Sequence, residues 1–217
     1  MTRYDGVAFD LDGTLVDAFH VIVAAVNGTL AHFGFDRAEP ELIKRKVGRG
    51  MRPLLGNFFP ADRLDEVIEY YKDRYFGTPP AETMLLPGAA ELLTRLHEAG
   101  VKLSVVSNKP APLGDEVMDH YGLSPMLSAV LCDDGTIPLK PSPAMILAAM
   151  EHMGTGAKRT LYVGDMPIDV EAARAAGCDV AVLPTGCATE DELRAAGPDF
   201  LRRELIELAP IVLEGSE

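Results

Sequence analysis

Short apolar runs alternate with helix-like segments along the chain from residue 86 onward, and this alternation limits the folds that are open to it. The run VKLSVVS follows the helix-like LPGAAELLTRLHEAG, and the runs SAVLC, TLYVG and DVAVLP are separated from one another by helical stretches. One more strand-like run, GVAFD, stands near the start of the chain. Because strands that alternate with amphipathic helices form βαβ units, the sequence predicts an α/β protein with a Rossmann-like parallel sheet.

Residues 17–85 differ from the rest of the chain, since their apolar residues follow a helical period and form no convincing strand. The helix-like segments in this range are HVIVAAVNGTLAHFG, PELIKRKVG, RPLLGNFF and DRLDEVIEYYKDRYFG. Strand-like runs lie on both sides of it. We therefore expect residues 17–85 to form a helical cap domain, inserted into an α/β core domain made of residues 1–16 and 86–217.

Acids, hydroxyls, amides and amines stand where the predicted strands end. The residues in question are Asp10, Asp12, Ser107, Asn108, Lys109, Lys140, Asp165 and Asp169. In an open parallel sheet, ligands bind outside the carboxyl ends of the strands. We therefore expect these side chains to meet at one edge of the sheet.

Carboxylates that meet at one edge repel each other unless a cation neutralises them, and aspartate oxygens suit Mg²⁺. A lysine and a hydroxyl opposite such a metal can hold a phosphoryl group. Of Asp10 and Asp12, one can attack phosphorus and form an aspartyl-phosphate, while the other holds a proton for the leaving oxygen. The residue chemistry alone does not decide which of the two aspartates is the nucleophile and which is the proton donor.

The same residues resemble, in order, the four motifs of the haloacid dehalogenase (HAD) superfamily. The matching segments are Asp10-Leu11-Asp12-Gly13-Thr14, Ser107-Asn108, Lys140-Pro141, and Gly164-Asp165 with Asp169. The resemblance covers nearly the whole chain, is strongest to phosphoglycolate-phosphatase-like phosphatases, and implies a HAD-like fold. The dehalogenases themselves lack the second aspartate of the first motif, so Asp12 favours phosphoryl transfer over dehalogenation.

This resemblance implies a Mg²⁺-dependent phosphatase that acts on a small phosphorylated metabolite, with phosphoglycolate as first choice. Asp10 would be the nucleophile. Asp12 would be the general acid and base, and its main-chain carbonyl would also bind the metal. Asp165 would ligate Mg²⁺, and Asp169 would ligate it or orient its waters.

The resemblance also implies which residues hold the phosphoryl group. Ser107, the backbone of Asn108 and Lys140 would bind it, and Lys140 would in addition steady the nucleophile. Arg49 stands between two glycines, so its segment can approach a ligand closely, and its planar fork suits a carboxylate. We expect Arg49 to contact the substrate, with a solvated helix end as the alternative for this basic stretch.

Composition excludes several other classes of partner. The formal net charge of −13 argues against nucleic acid and anionic membranes as partners. No apolar run approaches the roughly 20 residues that a membrane-spanning helix needs, and no signal peptide is evident, so we expect a cytoplasmic protein. The 3 cysteines lack metal-type spacing. A monomer and a homodimer are equally compatible with the sequence.

Other activities on the same core stay open as alternatives. A phosphosugar phosphatase differs only in substrate. Mutases of the β-phosphoglucomutase type carry a histidine in the early cap helix where this chain has Ile22, which argues against a mutase. A phosphonate hydrolase needs a cap lysine, and none lies between Val16 and Lys44. A non-catalytic relative that binds a phosphometabolite would be expected to have lost Asp10 or Asp165.

Overall fold

The computed structural model describes residues 2–214 and contains a six-stranded parallel sheet. The strands within this range are β1 (Gly6–Phe9), β2 (Val16–Asp17), β3 (Met84–Leu85), β4 (Lys102–Pro110), β5 (Leu127–Asp133), β6 (Thr160–Gly164), β7 (Asp179–Val182) and β8 (Phe200–Leu201). The order across the sheet is β5-β4-β1-β6-β7-β8, and every neighbouring pair is parallel. This sheet confirms the predicted α/β class with a Rossmann-like core.

Helices cover both faces of the sheet. The α-helices of the described residues are α1 (Phe19–His32), α2 (Pro40–Lys44), α3 (Met51–Leu55), α4 (Leu64–Phe76), α5 (Ala89–Glu98), α6 (Ala111–His120), α7 (Ala144–Met153), α8 (Pro167–Ala176), α9 (Glu190–Ala196) and α10 (Leu208–Leu213). Successive side chains of a strand point to opposite faces, so Val7 and Phe9 join one apolar core while Ala8 joins the other. Helices α5, α6 and α10 pack into the first core, and α7, α8 and α9 into the second.

Helices α1 to α4, which come between β2 and β3 along the chain, build a third apolar cluster. The cluster includes Val26 of α1 and Tyr71 of α4, and Leu113 of the core helix α6 also packs into it. We refer to residues 17–85 as the cap segment. The boundaries 17–85 of a separate cap domain stay a prediction. The helices of the cap segment pack on one another and against α6.

Strands β2 and β3 pair antiparallel where the chain enters and leaves the cap segment. Val16 pairs with Leu85, and Asp17 with Met84, so the two connections run side by side. The sequence predicts no strand within residues 17–85, and Met84–Leu85 corrects that expectation. A two-residue strand is too short to show the alternation on which strand prediction depends.

The elements after DVAVLP are also absent from the sequence-based prediction. Helix α9 has 7 residues and α10 has 6, while β8 has 2. Such short elements hold too few apolar positions to show a helical or strand period. Within residues 2–214, no helix is long and apolar enough to cross a membrane.

Helix α5 provides a test of the packing on one face of the sheet. Leu96 is fully buried between α5 and the sheet, while Glu98 of the same helix is exposed. We expect Leu96→Ala to lower the free energy of unfolding by about 2–5 kcal/mol, because it leaves a cavity in the core. Glu98→Ala should change that free energy by less than about 0.5 kcal/mol. Urea unfolding of both variants measures the difference, and equal values would contradict this packing.

Candidate active site

The three central strands carry the acidic and basic groups to one edge of the sheet. Strand β1 lies between β4 and β6, so the residues that follow its carboxyl end are flanked by those of both neighbours. Asp10 and Asp12 follow β1, Ser107 and Asn108 lie near the end of β4, and Asp165 follows β6. These are the positions at which the sequence predicts the site.

Lys140 joins two of the predicted carboxylates. Its Nζ lies 2.9 Å from Oδ1 of Asp10 and 2.8 Å from Oδ1 of Asp169, and it donates to the hydroxyl of Tyr162 over 2.9 Å. Burial alone would lower the pKa of this lysine, but the charges of Asp10 and Asp169 outweigh burial and raise it well above its usual value. Lys140 is therefore held as a buried cation.

Asp10, Asp165 and Asp169 form a buried acidic cluster in which one oxygen from each lies within 4.8 Å of the others. Burial, and then the charges of Asp10 and Asp169, raise the pKa of Asp165 well above its ordinary value. Lys140 brings one positive charge to three carboxylates, so the cluster is short of positive charge. Bound cations are the usual compensation for such a group of oxygen ligands.

A second observation supports a cation at the same place. Oδ1 of Asp165 accepts a hydrogen bond of 2.9 Å from the hydroxyl of Thr14, but Oδ2 is buried and has no hydrogen-bond partner among the described residues. A buried carboxylate oxygen without a donor is costly, and a metal ion satisfies it as well as a donor would. The donor set is hard and oxygen-rich, which fits a divalent cation.

Glycines allow the backbone to approach this cluster closely. A Cβ built on Gly186 would collide with Oδ2 of Asp165, and one built on Gly164 would collide with the carboxylate of Asp169. Gly13 has a φ of +88° and would also press a side chain against Asp165. Asp169 accepts hydrogen bonds from the backbone N–H groups of Asp165 and Met166, so its carboxylate is fixed as well.

Asp12 lies outside the acidic cluster and pairs with a different lysine. Nζ of Lys109 lies 3.0 Å from Oδ1 and 3.2 Å from Oδ2 of Asp12, and it donates to the hydroxyl of Tyr75 over 2.7 Å. Burial raises the pKa of Asp12, and the charge of Lys109 offsets that rise only in part. The environment of Asp12 thus differs from that of Asp10, which is salt-bridged to Lys140.

Asn108 connects the site to the cap segment through its side chain. Its amide donates to the carbonyl of Gly48 over 2.9 Å and to the carbonyl of Lys140 over 3.0 Å. Its Oδ1 accepts from the backbone N–H of Lys140 over 2.9 Å. Ser107 is buried beside it. The predicted phosphate-binding residues Ser107, Asn108 and Lys140 are therefore brought together.

A cavity of about 50 Å³ lies between these core residues and the cap segment. Its lining from the core includes Asp10, Asp12, Ser107, Asn108, Lys109 and Met166. Its lining from the cap segment is mostly apolar and consists of Phe19, Ile22, Val47, Gly48, Gly50, Met51, Leu54, Tyr71 and Tyr75. The site is thus charged on the core side and apolar on the cap side.

The structure does not bring Arg49 to the cavity. The glycines on either side of Arg49 line the cavity, while Arg49 itself is exposed and is not among the lining residues. Its proposed contact with the substrate stays a prediction that the geometry does not support.

Comparisons with known proteins agree with this geometry. The family model described as haloacid dehalogenase-like hydrolase matches residues 7–183. The chain belongs to this family. It is 32% identical over 194 residues to the phosphoglycolate phosphatase of Aquifex aeolicus (strain VF5), covering 89% of this chain and 90% of the relative. It is 30% identical over 229 residues to the Escherichia coli (strain K12) phosphoglycolate phosphatase, covering 94% and 91%.

Solved structures show the same architecture. The crystal structure of a predicted phosphoglycolate phosphatase from Haemophilus somnus 129PT superposes with a TM-score of 0.85 at 26% identity, over 97% of each chain. A predicted phosphatase from Clostridium acetobutylicum has a TM-score of 0.87 at 24% identity, which shows the fold alone. The HAD resemblance and the predicted enzyme class, a phosphoric monoester hydrolase, are confirmed.

Sequence reasoning on this HAD hydrolase gave no role to three residues that shape its site. Lys109 follows Ser107 and Asn108 in the sequence, which predicts only that it lies at a strand end. Tyr75 lies far from the motifs along the chain, whereas Tyr162 lies two residues before Gly164 of the fourth motif. Each hydroxyl accepts from one of the two buried lysines. The position of Lys109 is the signal that the sequence offers. A lysine next to the second motif, at the end of a buried strand, must find a partner if it is itself buried.

The close approach of Gly186 to Asp165 yields a test of the acidic cluster. We expect Gly186→Ala to lower kcat about a hundredfold, because it displaces Asp165 and misplacement by about 1 Å can cost that much. Gly156→Ala is the matched control, since a Cβ there meets nothing within 4 Å and the backbone is extended. Hydrolysis of p-nitrophenyl phosphate at saturating divalent cation measures both variants. Wild-type kcat in Gly186→Ala would contradict the close packing.

Proposed function

We propose that this HAD phosphatase is Mg²⁺-dependent, acts on a small phosphate monoester and proceeds through an aspartyl-phosphate on Asp10, with phosphoglycolate as the first candidate substrate. One observation carries the proposal. Asp10 lines the cavity, pairs with Lys140 and belongs to the acidic cluster. A carboxylate that faces a ligand cavity, a lysine and a candidate metal site at once is suited to attack a phosphoryl group.

The chain's own residues prepare Asp10 as the nucleophile. Its Oδ1 accepts from the backbone N–H of Leu11 over 2.7 Å and lies 2.9 Å from Nζ of Lys140. Both donors contact the same oxygen of the carboxylate. They also fix its orientation towards the cavity, which reduces the entropy that must be lost on reaching the transition state.

Asp10, Asp165 and Asp169 are the side chains that would hold the metal, and we assign Mg²⁺ because the donors are hard oxygens. The main-chain carbonyl of Asp12 remains a predicted further ligand. When bound, Mg²⁺ supplies positive charge that neutralises the phosphoryl oxygens. Ser107, the Asn108 backbone and Lys140 are the protein groups that we propose for the remaining charge.

Asp12 supplies the proton transfers. In the first step an Asp10 oxygen forms a bond to phosphorus, the bond from phosphorus to the leaving oxygen breaks, and the Asp12 proton passes to that oxygen. In the second step Asp12 takes a proton from water as the water oxygen attacks phosphorus. Phosphate leaves, and the Asp10 carboxylate is restored. The raised pKa of Asp12 suits it to carry the proton needed first.

The cavity favours a small leaving group. Its volume is about 50 Å³, and side chains such as Phe19, Met51 and Leu54 close it on the cap side. Phosphoglycolate is a two-carbon acid phosphate and is the substrate named for the relatives in Aquifex aeolicus and Escherichia coli. Ile22 also lines the cavity, so an apolar side chain occupies the place where mutases of this family carry a histidine. This supports hydrolysis over transfer back to a sugar.

Phosphate release tests the proposed function directly. We expect wild-type protein to release phosphate from phosphoglycolate with Mg²⁺ and to release none with excess chelator. Asp10→Asn should abolish release because the amide is a poor nucleophile. Asp36→Asn, the same change at an exposed cap residue, is the matched control and should retain wild-type rates.

A substrate panel separates the substrate from the reaction class. Phosphoglycolate, hexose phosphates, nucleoside monophosphates, pyrophosphate and p-nitrophenyl phosphate are compared at equal concentration. If another compound is preferred, that compound replaces phosphoglycolate as the proposed substrate, and the proposed mechanism is unaffected. Full activity in Asp10→Asn, or no turnover of any compound by folded wild-type protein, would refute the proposed function.

A further inference from the structure

Lys109 is a buried charge that the proposed mechanism has not used. Its side chain is 2% exposed, and it lies near the end of β4, whereas its partner Tyr75 belongs to α4 of the cap segment. One ammonium group thus touches the carboxylate of Asp12 on the core and a hydroxyl on the cap segment. A buried lysine is kept only where partners offset its lost hydration, so both contacts matter to its position.

We propose that Tyr75 and Lys109 are positioning residues through which the cap segment sets the acid and base, Asp12, for proton transfer. The inference rests on the proposed function, since it assigns the placement of Asp12 within that reaction. Tyr75 acts on Lys109, and Lys109 acts on Asp12.

The geometry at Lys109 fits this role. Its Nζ lies 3.0 Å and 3.2 Å from the two oxygens of Asp12, so one ammonium group spans the whole carboxylate and limits its rotation. The Tyr75 oxygen accepts from the same Nζ over 2.7 Å, and Nζ lies 5.0 Å from the centre of the Tyr75 ring. An ammonium has three N–H donors, and these contacts direct them to the carboxylate and the hydroxyl.

The neighbouring residue contacts another part of the cap segment. The side chain of Asn108 donates to the carbonyl of Gly48, which lies in the loop before α3. Two successive residues at the end of β4 therefore contact the cap segment, one through a loop carbonyl and the other through Tyr75 of α4. A displacement of α4 away from the core would remove the Tyr75 oxygen from Lys109. Asp12 would then be held by a lysine that has lost one of its two fixed partners.

This arrangement predicts a dependence on the leaving group. Asp12 must protonate an alkoxide leaving group, whereas p-nitrophenolate leaves without a proton because it is a weak base. In the first step, a misplaced Asp12 therefore slows alkyl phosphates more than p-nitrophenyl phosphate. The second step needs Asp12 as the base for every substrate, so the comparison is made on kcat/KM, which reports the steps up to departure of the leaving group. A change that only damaged the fold or the cavity would slow both substrates alike.

Tyr75→Phe is the sharpest test, because it removes one oxygen and keeps the ring. We expect kcat/KM for the best alkyl phosphate to fall about tenfold, a part of the contribution of general acid catalysis. The kcat/KM for p-nitrophenyl phosphate should fall less than about twofold, because its leaving group needs no proton. Tyr70→Phe makes the same change on α4, where Tyr70 stacks on His32, and should behave as wild type.

A second variant tests the link between the cap segment and Asp12. Lys109→Met keeps an unbranched side chain and removes the charge, so it should widen the ratio of aryl to alkyl phosphate turnover further than Tyr75→Phe does. Thermal unfolding of all variants establishes that they are folded. If Lys109→Met does not fold, the result from Tyr75→Phe alone decides the matter.

The outcomes separate this inference from the proposed function. A larger loss of kcat/KM for alkyl than for aryl phosphate in Tyr75→Phe supports the positioning role. Equal losses for both substrates, or wild-type rates for both, overturn that role while wild-type activity and the inactivity of Asp10→Asn leave the phosphatase mechanism standing. If wild-type protein releases no phosphate, the proposed function fails and the positioning role fails with it.

Discussion

Compensation of buried charge organises the site. Four aspartates and two lysines lie at the carboxyl ends of the central strands, where few side chains have access to water. A buried charge is tolerated only with a partner, so the pairing decides what each group can do. Asp12 is the one carboxyl group among the described residues with which Lys109 pairs, so this lysine serves a single acid. Lys140 must serve Asp10 and Asp169 with Asp165 close by, and the resulting excess of negative charge creates the candidate cation site.

The sheet order explains how these groups meet. Strand β1 lies between β4 and β6, so residues separated by about 100 positions or more along the chain become neighbours at one edge. Glycines at the same edge let the backbone approach the carboxylates without side chains in between. The cap segment leaves the core just after the first motif and returns beside its own exit through β2 and β3. An insertion at this point places a lid over the nucleophile without interrupting the sheet.

Much of the site could be predicted because strand ends can be read from apolar runs. Asp10, Asp165 and Lys140 follow such runs, and an open parallel sheet brings its strand ends together. The position of Arg49 could not be read in this way. The course of a loop with glycines on both sides depends on how the cap segment packs, and here the glycines face the cavity while the arginine is exposed. The role of Lys109 was hidden for a related reason, since its partner Tyr75 is 34 positions away in another element.

The core side of the cavity carries the groups that react, and the cap side carries the groups that select the substrate. The core side carries the carboxylates and Lys109, while the cap side presents aromatic and aliphatic groups such as Phe19, Leu54 and Tyr71. Apolar walls exclude water and strengthen the electrostatic interactions of the charged side. They also bind by shape, and an apolar wall discriminates size better than it discriminates charge. A change in the cap side chains would therefore alter which leaving groups fit, while the charge pairs that prepare Asp10 and Asp12 remain on the core. Tyr75 is the exception, because its hydroxyl extends from the cap side into those charge pairs.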